Sequence, residues 1–516
     1  MHTCSRSARL LLACAALLLG ACAAFQRREP QLLELALPRT TVGPLFDRVA
    51  DLQMTPEQSS YRLLRSNSAE LLMRMRTTDA TVSSLDLMYF AWSDDDSGQL
   101  LTSELLRAAD RGVRVRLLVD DAFVRHLDAS MAIIDSHPNL EIRNFNPLRS
   151  RDSVPGNIAE MVFTGMRPNR RMHNKAWIAD GQVALVGGRN VGDAYFDLGE
   201  EFNFRDLGVL VMGAAVPAAS LAFDGYWNSP MAIPIARIHP QPLTGSLAEA
   251  QAELERKRQA VLSASPMREW IADGRVGEKK LVGVGDPIGA AVEIITDPPD
   301  KGRMPARPLV GVAAAVRRMG DQAEHEFVLV SPYFVPGKDG ARWLMDMAAR
   351  GVAVSVLTNS LDATDVPIVH GGYSRYRKRL LRAGISIHEL KPTSAASRIR
   401  RLLGGYSRSS LHTKAVVVDG RHALIGSYNF DPRSTSINTE MAVLIDDPVF
   451  AASVLADFQQ AMDPLRSYRL SLRRNRLIWT DIDAGHQRVQ DREPSASASR
   501  RLQAALASLL PIESQL

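Results

Sequence analysis

Two stretches decide the reading: HNKAWIAD at positions 173–180 and HTKAVVVD at 412–419. Each carries a histidine, a lysine two residues on and an aspartate five further, across an apolar, β-branched run. That content predicts strands over 172–180 and 411–419, and a two-residue period puts His173 beside Lys175 and His412 beside Lys414 on one face. Beyond each aspartate, six residues lead to a small pair and an asparagine, Gly187-Gly188-Arg189-Asn190 and Gly426-Ser427-Tyr428-Asn429. Small residues let backbone approach a ligand closely, and the amides can donate hydrogen bonds to it.

The two stretches are copies. Arg111-Gly112-Val113 returns as Arg350-Gly351-Val352, and both displacements agree: 351 − 112 = 239 and 412 − 173 = 239. Before each Arg-Gly-Val lies an apolar strand pattern (85–90; 327–330) and then a helical one (100–109; 343–349); another strand follows (113–119; 352–357). Glycine closing a helix before β-branched alternation is a stop feeding a strand, so each half begins as a β-α-β unit with parallel strands. A further short strand is expected in each half, near 139–142 and 384–387. The chain therefore divides into an export segment (1–22), a spacer with a helix near 61–75 (23–80), an α/β domain (81–231), a helical linker (232–290), a second α/β domain (291–464) and a tail (465–516). Equivalent motifs in duplicated domains imply one shared site across a pseudo-twofold interface.

At 516 residues the chain exceeds what one core usually holds. A net charge of +5 is too small to point to nucleic acid. Cys4, Cys14 and Cys22 are the three cysteines, so disulfide or thiolate chemistry is excluded from the motif region. Arg6 and Arg9 precede an apolar run over 10–19 and a small-residue site, which reads as an export signal. Leu19-Gly20-Ala21-Cys22 resembles a bacterial lipobox, making Cys22 the expected lipid attachment and the cell envelope, facing the periplasm, the expected location. Ala23 after it fits the pattern sorted to the outer membrane; which membrane stays open.

A doubled set of His, Lys and Asn suits a phosphodiester: lysines and amides neutralise and orient its oxygens while two histidines divide nucleophilic and proton-transfer work. No cofactor or metal is called for. An acid precedes a matching strand in each half, Asp206 before Leu207-Gly208-Val209-Leu210 and Glu440 before Met441-Ala442-Val443-Leu444, and each can fix an imidazole tautomer. Glu200 and Glu201 are lower-ranked rivals. Asp180 and Asp419, each before glycine, are expected to support turns rather than perform a chemical step.

At these residues the chain resembles the phospholipase D superfamily, and most closely its bacterial cardiolipin synthase C group. The likeness spans about 59–479 and rests on 173–196, 358–392 and 410–440. It implies two phospholipase D-like α/β domains with mixed sheets flanked by helices. It also implies a two-step exchange in which one histidine attacks the donor lipid's phosphorus, the other protonates the leaving alcohol, and an acceptor alcohol resolves the phosphohistidine. By analogy His173 is the nucleophile and His412 the acid then base, an assignment the duplication leaves reversible. Lys175, Lys414, Asn190 and Asn429 would hold the phosphate, with Asp206 and Glu440 orienting the imidazoles. The implied partners are membrane phospholipids, and the implied product is cardiolipin, made from phosphatidylglycerol and a phosphatidylethanolamine or phosphatidylglycerol donor. One departure concerns Gly208, where the group usually has a second aspartate.

Hydrolysis of the same intermediate by water is a rival that the motif does not separate from transfer; a nuclease or binding-only protein is the third class, and the modest charge and lipid-type start argue against the nuclease. Two further segments stand out. His370, Tyr373, Arg375, Tyr376, Arg377 and Lys378 read as a solvated helix face with a few packed aromatics and as a membrane-contact candidate, and the apolar stretch 502–512 as a helix packed on the second domain or resting on a bilayer.

Overall fold

The computed structural model describes residues 33–148, 169–200, 202–272, 288–304, 308–392, 408–483, 485–510 and 513–515. The export segment and Cys22 lie outside them. Two compact units are distinguished, 1–35 and 36–516, and every strand belongs to the second.

The first half contributes β1 (Ser59–Leu64), β2 (Ser84–Tyr89), β3 (Arg114–Asp120), β4 (Leu140–Phe145), β5 (Ala176–Ala179), β6 (Val183–Gly187), β7 (Phe202–Arg205), β8 (Gly208–Gly213) and β9 (Ala232–Pro234). The second contributes β10 (Ile288–Thr296), β11 (Glu326–Val330), β12 (Ala353–Asn359), β13 (Ser386–Leu390), β14 (Arg408–Leu411), β15 (Lys414–Val418), β16 (His422–Gly426), β17 (Met441–Asp446), β18 (Ser467–Arg473), β19 (Arg476–Asp483) and β20 (His486–Gln490). Pairing gives the order β9-β4-β3-β2-β5-β6-β8-β1 in one half. The other runs β20-β19-β18-β13-β12-β11-β15-β16-β17-β10. In each, three strands are parallel (β2, β3, β4; β11, β12, β13) and the motif strand, β5 or β15, runs antiparallel beside them. The sheets are mixed, as the duplicated reading requires. β1 and β10 pair antiparallel where the halves meet.

The repeated Arg-Gly-Val does what its composition predicts. Gly112 and Gly351 take φ of 93° and 94°, a left-handed stop that suits glycine. The next amides, Val113 and Val352, bond back to Ala108 and Met347, closing helices Asp96–Asp110 and Gly337–Ala349 before β3 and β12. One apolar core is common to both halves: Met88, Ile178, Val186 and Val209 pack in the same cluster as Val330, Val417, Ile425 and Val443, with helices Val216–Trp227 and Pro448–Met462 closing it. A shared core holds the two motif strands in fixed relation.

Three expectations need correction. The helix expected near 61–75 begins only at Asn67; Ser59–Leu64 is a strand, paired along β8, because this mixed polar and apolar, β-branch-free segment takes its state from the strand it pairs with. The motif strands start late, at Ala176 and Lys414, leaving His173, Lys175 and His412 before the ladder and Lys414 at its first residue. The 370–378 segment is a solvated face only at Arg375 and Lys378, and its burial reaches beyond the aromatics. His370, Tyr373, Tyr376 and Arg377 are buried. Arg377 pairs with Glu389 at 3.1 Å and Glu493 at 2.5 Å, and Tyr376 donates to Glu513 at 2.6 Å. The cover is the C-terminal helix Ala498–Leu509, which lays Ala504 and Ala507 against Gly371.

Candidate active site

Each motif histidine is held by the opposite half. Residues 171–173 run beside Thr439: the His173 amide donates to the Thr439 carbonyl at 2.8 Å, and the Thr439 amide to the Arg171 carbonyl at 2.9 Å. In the mirror arrangement β14 pairs in parallel with β7, and the amides of His412 and Thr413 donate to the Arg205 carbonyl at 2.8 and 3.0 Å. The residue before each histidine is pinned from its own half. Asp120 accepts the Met172 amide at 2.8 Å and Asn359 accepts the Leu411 amide at 3.0 Å. These two residues end β3 and β12 and were missed by the motif reading, although 359 − 120 = 239 reveals them as one repeat position.

The crossing continues into the side chains. His173 Nδ1 lies 2.8 Å from Glu440 Oε2, and His412 Nδ1 lies 2.6 Å from Asp206 Oδ2. The acid before each half's last motif strand thus serves the other half's imidazole. All four groups are buried. A carboxylate on Nδ1 fixes the ring and leaves Nε2 to face the site. A Cβ at Gly188 would sit 2.5 Å from Asp206 Oδ2, so the carboxylate occupies the space glycine leaves. The counterpart, Ser427, donates its hydroxyl to Glu440 Oε2 at 2.5 Å.

Lys175 Nζ donates to the His173 carbonyl at 2.8 Å and lies 5.1 Å over the Phe90 ring. Lys414 Nζ donates to the His412 carbonyl and lies 2.9 Å from His412 Nδ1. Aromatic rings wall the pair: Phe90 is 4.8 Å from the His173 ring, while Tyr195 and Phe204 are 5.1 and 4.7 Å from His412. Asn190 donates to the Tyr195 hydroxyl at 2.9 Å. The Oδ1 atoms of Asn190 and Asn429 are buried without a hydrogen-bond partner among the described residues.

Burial, with the charges of Lys175 and Lys414, holds both imidazoles well below their ordinary range. Burial also depresses the lysines, Lys175 strongly and Lys414 to about 8, against the attraction of Glu440 and Asp206. It pushes Asp206 up and Glu440 to about 7. The two lysines and two imidazoles act on one another in one desolvated cluster, a set of nitrogen groups suited to receiving an anion.

Asp180 and Asp419 stand apart from the histidines. With φ of 54° and 51°, they turn β5 and β15 and accept three backbone amides each, from residues 82, 83 and 84 and from 324, 325 and 326. Glu200 makes no bond to either histidine, and Glu201 lies outside the described residues. At Gly208 a Cβ would collide with Glu70 Oε2. Glu70 fills the place of the missing acid and pairs with Arg74 and with Arg189, which donates to the Asp206 carbonyl.

A family model described as "Cardiolipin synthase, PLD-like domain" matches residues 75–209 and 316–462, the two stretches that carry these motifs. The chain belongs to that family. It is 38% identical over 470 residues to cardiolipin synthase C of Escherichia coli (strain K12), covering 89% of this chain and 96% of that one. It is 32% identical to an uncharacterized protein of Helicobacter pylori (strain J99 / ATCC 700824), over 92% of each chain. The crystal structure of phosphatidylserine synthase from Haemophilus influenzae Rd KW20 shares the fold, with a TM-score of 0.53 at 14% identity over 82% of this chain and 91% of that one. Membership in the cardiolipin synthase family makes the chain a phospholipase D-type phosphatidyltransferase.

Proposed function

We propose that this enzyme makes cardiolipin, transferring a phosphatidyl group from phosphatidylethanolamine or phosphatidylglycerol to a phosphatidylglycerol acceptor through a phosphohistidine. The observation that carries this reading is the crossed pairing, in which each half supplies the carboxylate for the other half's histidine. His173 Nδ1 meets Glu440, which places the proton on Nδ1 and a lone pair on Nε2 for attack. His412 Nδ1 meets Asp206 with Lys414 alongside, a setting that favours proton exchange at Nε2. A bound phosphodiester anion between Lys175 and Lys414 offsets the cations that depress His412, so substrate arrival makes the imidazolium accessible.

In the first step His173 Nε2 forms a bond to phosphorus, the bond from phosphorus to the headgroup oxygen breaks, and His412 gives that oxygen its proton. In the second, the acceptor's hydroxyl oxygen attacks phosphorus, His412 takes the hydroxyl proton, and the phosphorus–nitrogen bond breaks. Asn190 and Asn429, with both lysines, hold the non-bridging oxygens. Lipid attachment at Cys22 would keep the site at a bilayer; among the described residues no helix is long and apolar enough to cross one. The test is turnover in mixed vesicles with each lipid labelled in turn. Cardiolipin with released headgroup is expected, and phosphatidic acid without cardiolipin would replace the transferase by a hydrolase.

A further inference from the structure

The C-terminal helix Ala498–Leu509 is built inside out. Its packed face is small, Ala504 and Ala507, and rests on helix Pro367–Ser374. Its large apolar residues point the other way: Leu502, Leu506, Leu509 and, one residue on, Leu510 are 60%, 54%, 80% and 50% exposed. At 100° per residue these four fall within one arc of about 100°, opposite the alanines. Ile368, on the supporting helix, is 44% exposed. Single exposed leucines are ordinary; four on one helix face mark a surface made to be covered.

The helix is tied to the rim of the active site. Arg375 donates to the Leu510 carbonyl at 2.7 Å and pairs with Glu513 at 3.4 Å. Gln515 accepts from Asn169 at 2.5 Å, four residues before His173, and Asn169 in turn accepts from Arg433, whose charge acts on His173. Glu513 also borders an open groove of about 860 Å³ lined by Leu309, Val335, Trp343, Tyr428 and Phe430, the last two flanking Asn429. Arg501 on the C-terminal helix is exposed, as are Lys378 and Arg379 on the helix Arg377–Arg382 that follows the supporting one. Lys378 and Arg379 make no ion pair among the described residues, and Arg501 spends one N–H on the Glu493 carbonyl. An exposed apolar helix face that carries Arg501 on the same helix and has unpaired cations on the neighbouring one, beside a site for an amphipathic anion, matches an anionic bilayer surface.

We propose that Ala498–Leu509 is an interfacial docking helix, which inserts Leu502, Leu506 and Leu509 into the anionic phospholipid bilayer and so sets the active-site rim on the lipid it draws from. This rests on the reading of phospholipid as substrate. The test uses the full chain with Cys4, Cys14 and Cys22 replaced by serine and a bimane label at Leu506→Cys, on phosphatidylglycerol/phosphatidylethanolamine vesicles. A blue shift and quenching by bilayer nitroxides are expected at 506, and none for a label at Ala252→Cys. Leu502→Ser/Leu509→Ser should lower turnover of vesicle lipid about tenfold or more and change turnover of dispersed short-chain lipid by less than about twofold. The proposal is overturned if 506 stays in water on vesicles the enzyme is turning over, if the serine variant matches the parent on vesicles, or if the leucine face is covered in a lipid-free dimer. Insertion at 506 without turnover of either lipid form would support docking and sink the transferase reading instead.

Discussion

Glu440→Gln probes the crossed site most sharply, because it alters one atom type 267 residues from the histidine it serves. Glu440 is fully buried, and its Oε2 receives both the His173 ring and the Ser427 hydroxyl. Replacing a charge-assisted hydrogen bond of about 1.5–3 kcal/mol by a neutral one of about 0.5–1.5 kcal/mol costs about 1 kcal/mol, roughly fivefold in rate. The larger effect is tautomeric. Glutamine can turn its N–H toward Nδ1, which moves the imidazole proton to Nε2 and removes the attacking lone pair; the equivalent change in a serine-protease triad costs about 10⁴-fold. The expected loss is therefore about 10³–10⁴-fold, or about 4–5 kcal/mol of barrier. Rapid-quench measurement of phosphoenzyme with phosphate-labelled phosphatidylglycerol reads it directly. A burst rate above about a tenth of wild type would refute the assignment of Glu440 to His173.

The pH profile offers a second check: kcat/KM should be bell-shaped, with limbs near 7 and 8 from Glu440 losing and Lys414 retaining its proton, and Lys414→Arg should carry the alkaline limb upward. Burial raises Asp431 to about 7, so its charging costs the fold stability as pH rises through that value. Asp431→Asn keeps the bond to the Ser434 amide and should stabilise by roughly 1–4 kcal/mol at pH 8, with the gain vanishing toward pH 4 in denaturant titrations. Asp180→Ala strands three amides near a buried position and should cost about 2–4 kcal/mol of stability while sparing turnover per folded molecule. Gly208→Asp drives a side chain into Glu70 and should lower the melting temperature, and Glu70→Ala in the same chain should recover part of the loss.

The local chemistry was legible because it repeats. His173, Lys175, His412 and Lys414 with their asparagines stand at one displacement, and the left-handed stops at Gly112 and Gly351 announce themselves by composition. Asp180 and Asp419 were readable as turn supports because aspartate before glycine favours that backbone. The crossing of Asp206 and Glu440 was not legible: a repeat states which residues are equivalent, not which copy a loop end approaches. The burial of His370 and Arg377 was not legible because their cover, Glu493 and helix Ala498–Leu509, comes more than a hundred residues later. The late start of β5 and β15 has the same origin, since the chain around His173 and His412 spends its amides on the opposite half.

In the proposed mechanism a single site passes a phosphatidyl group from His173 to a lipid alcohol. Its most direct measurement is a single-turnover chase: enzyme loaded with phosphate-labelled phosphatidylglycerol, quenched, mapped, and chased with unlabelled acceptor. Label on His173 that is base-stable, acid-labile and chased into cardiolipin is the expected result. Label on neither histidine, or label released only as phosphatidic acid while acceptor is present, would contradict it.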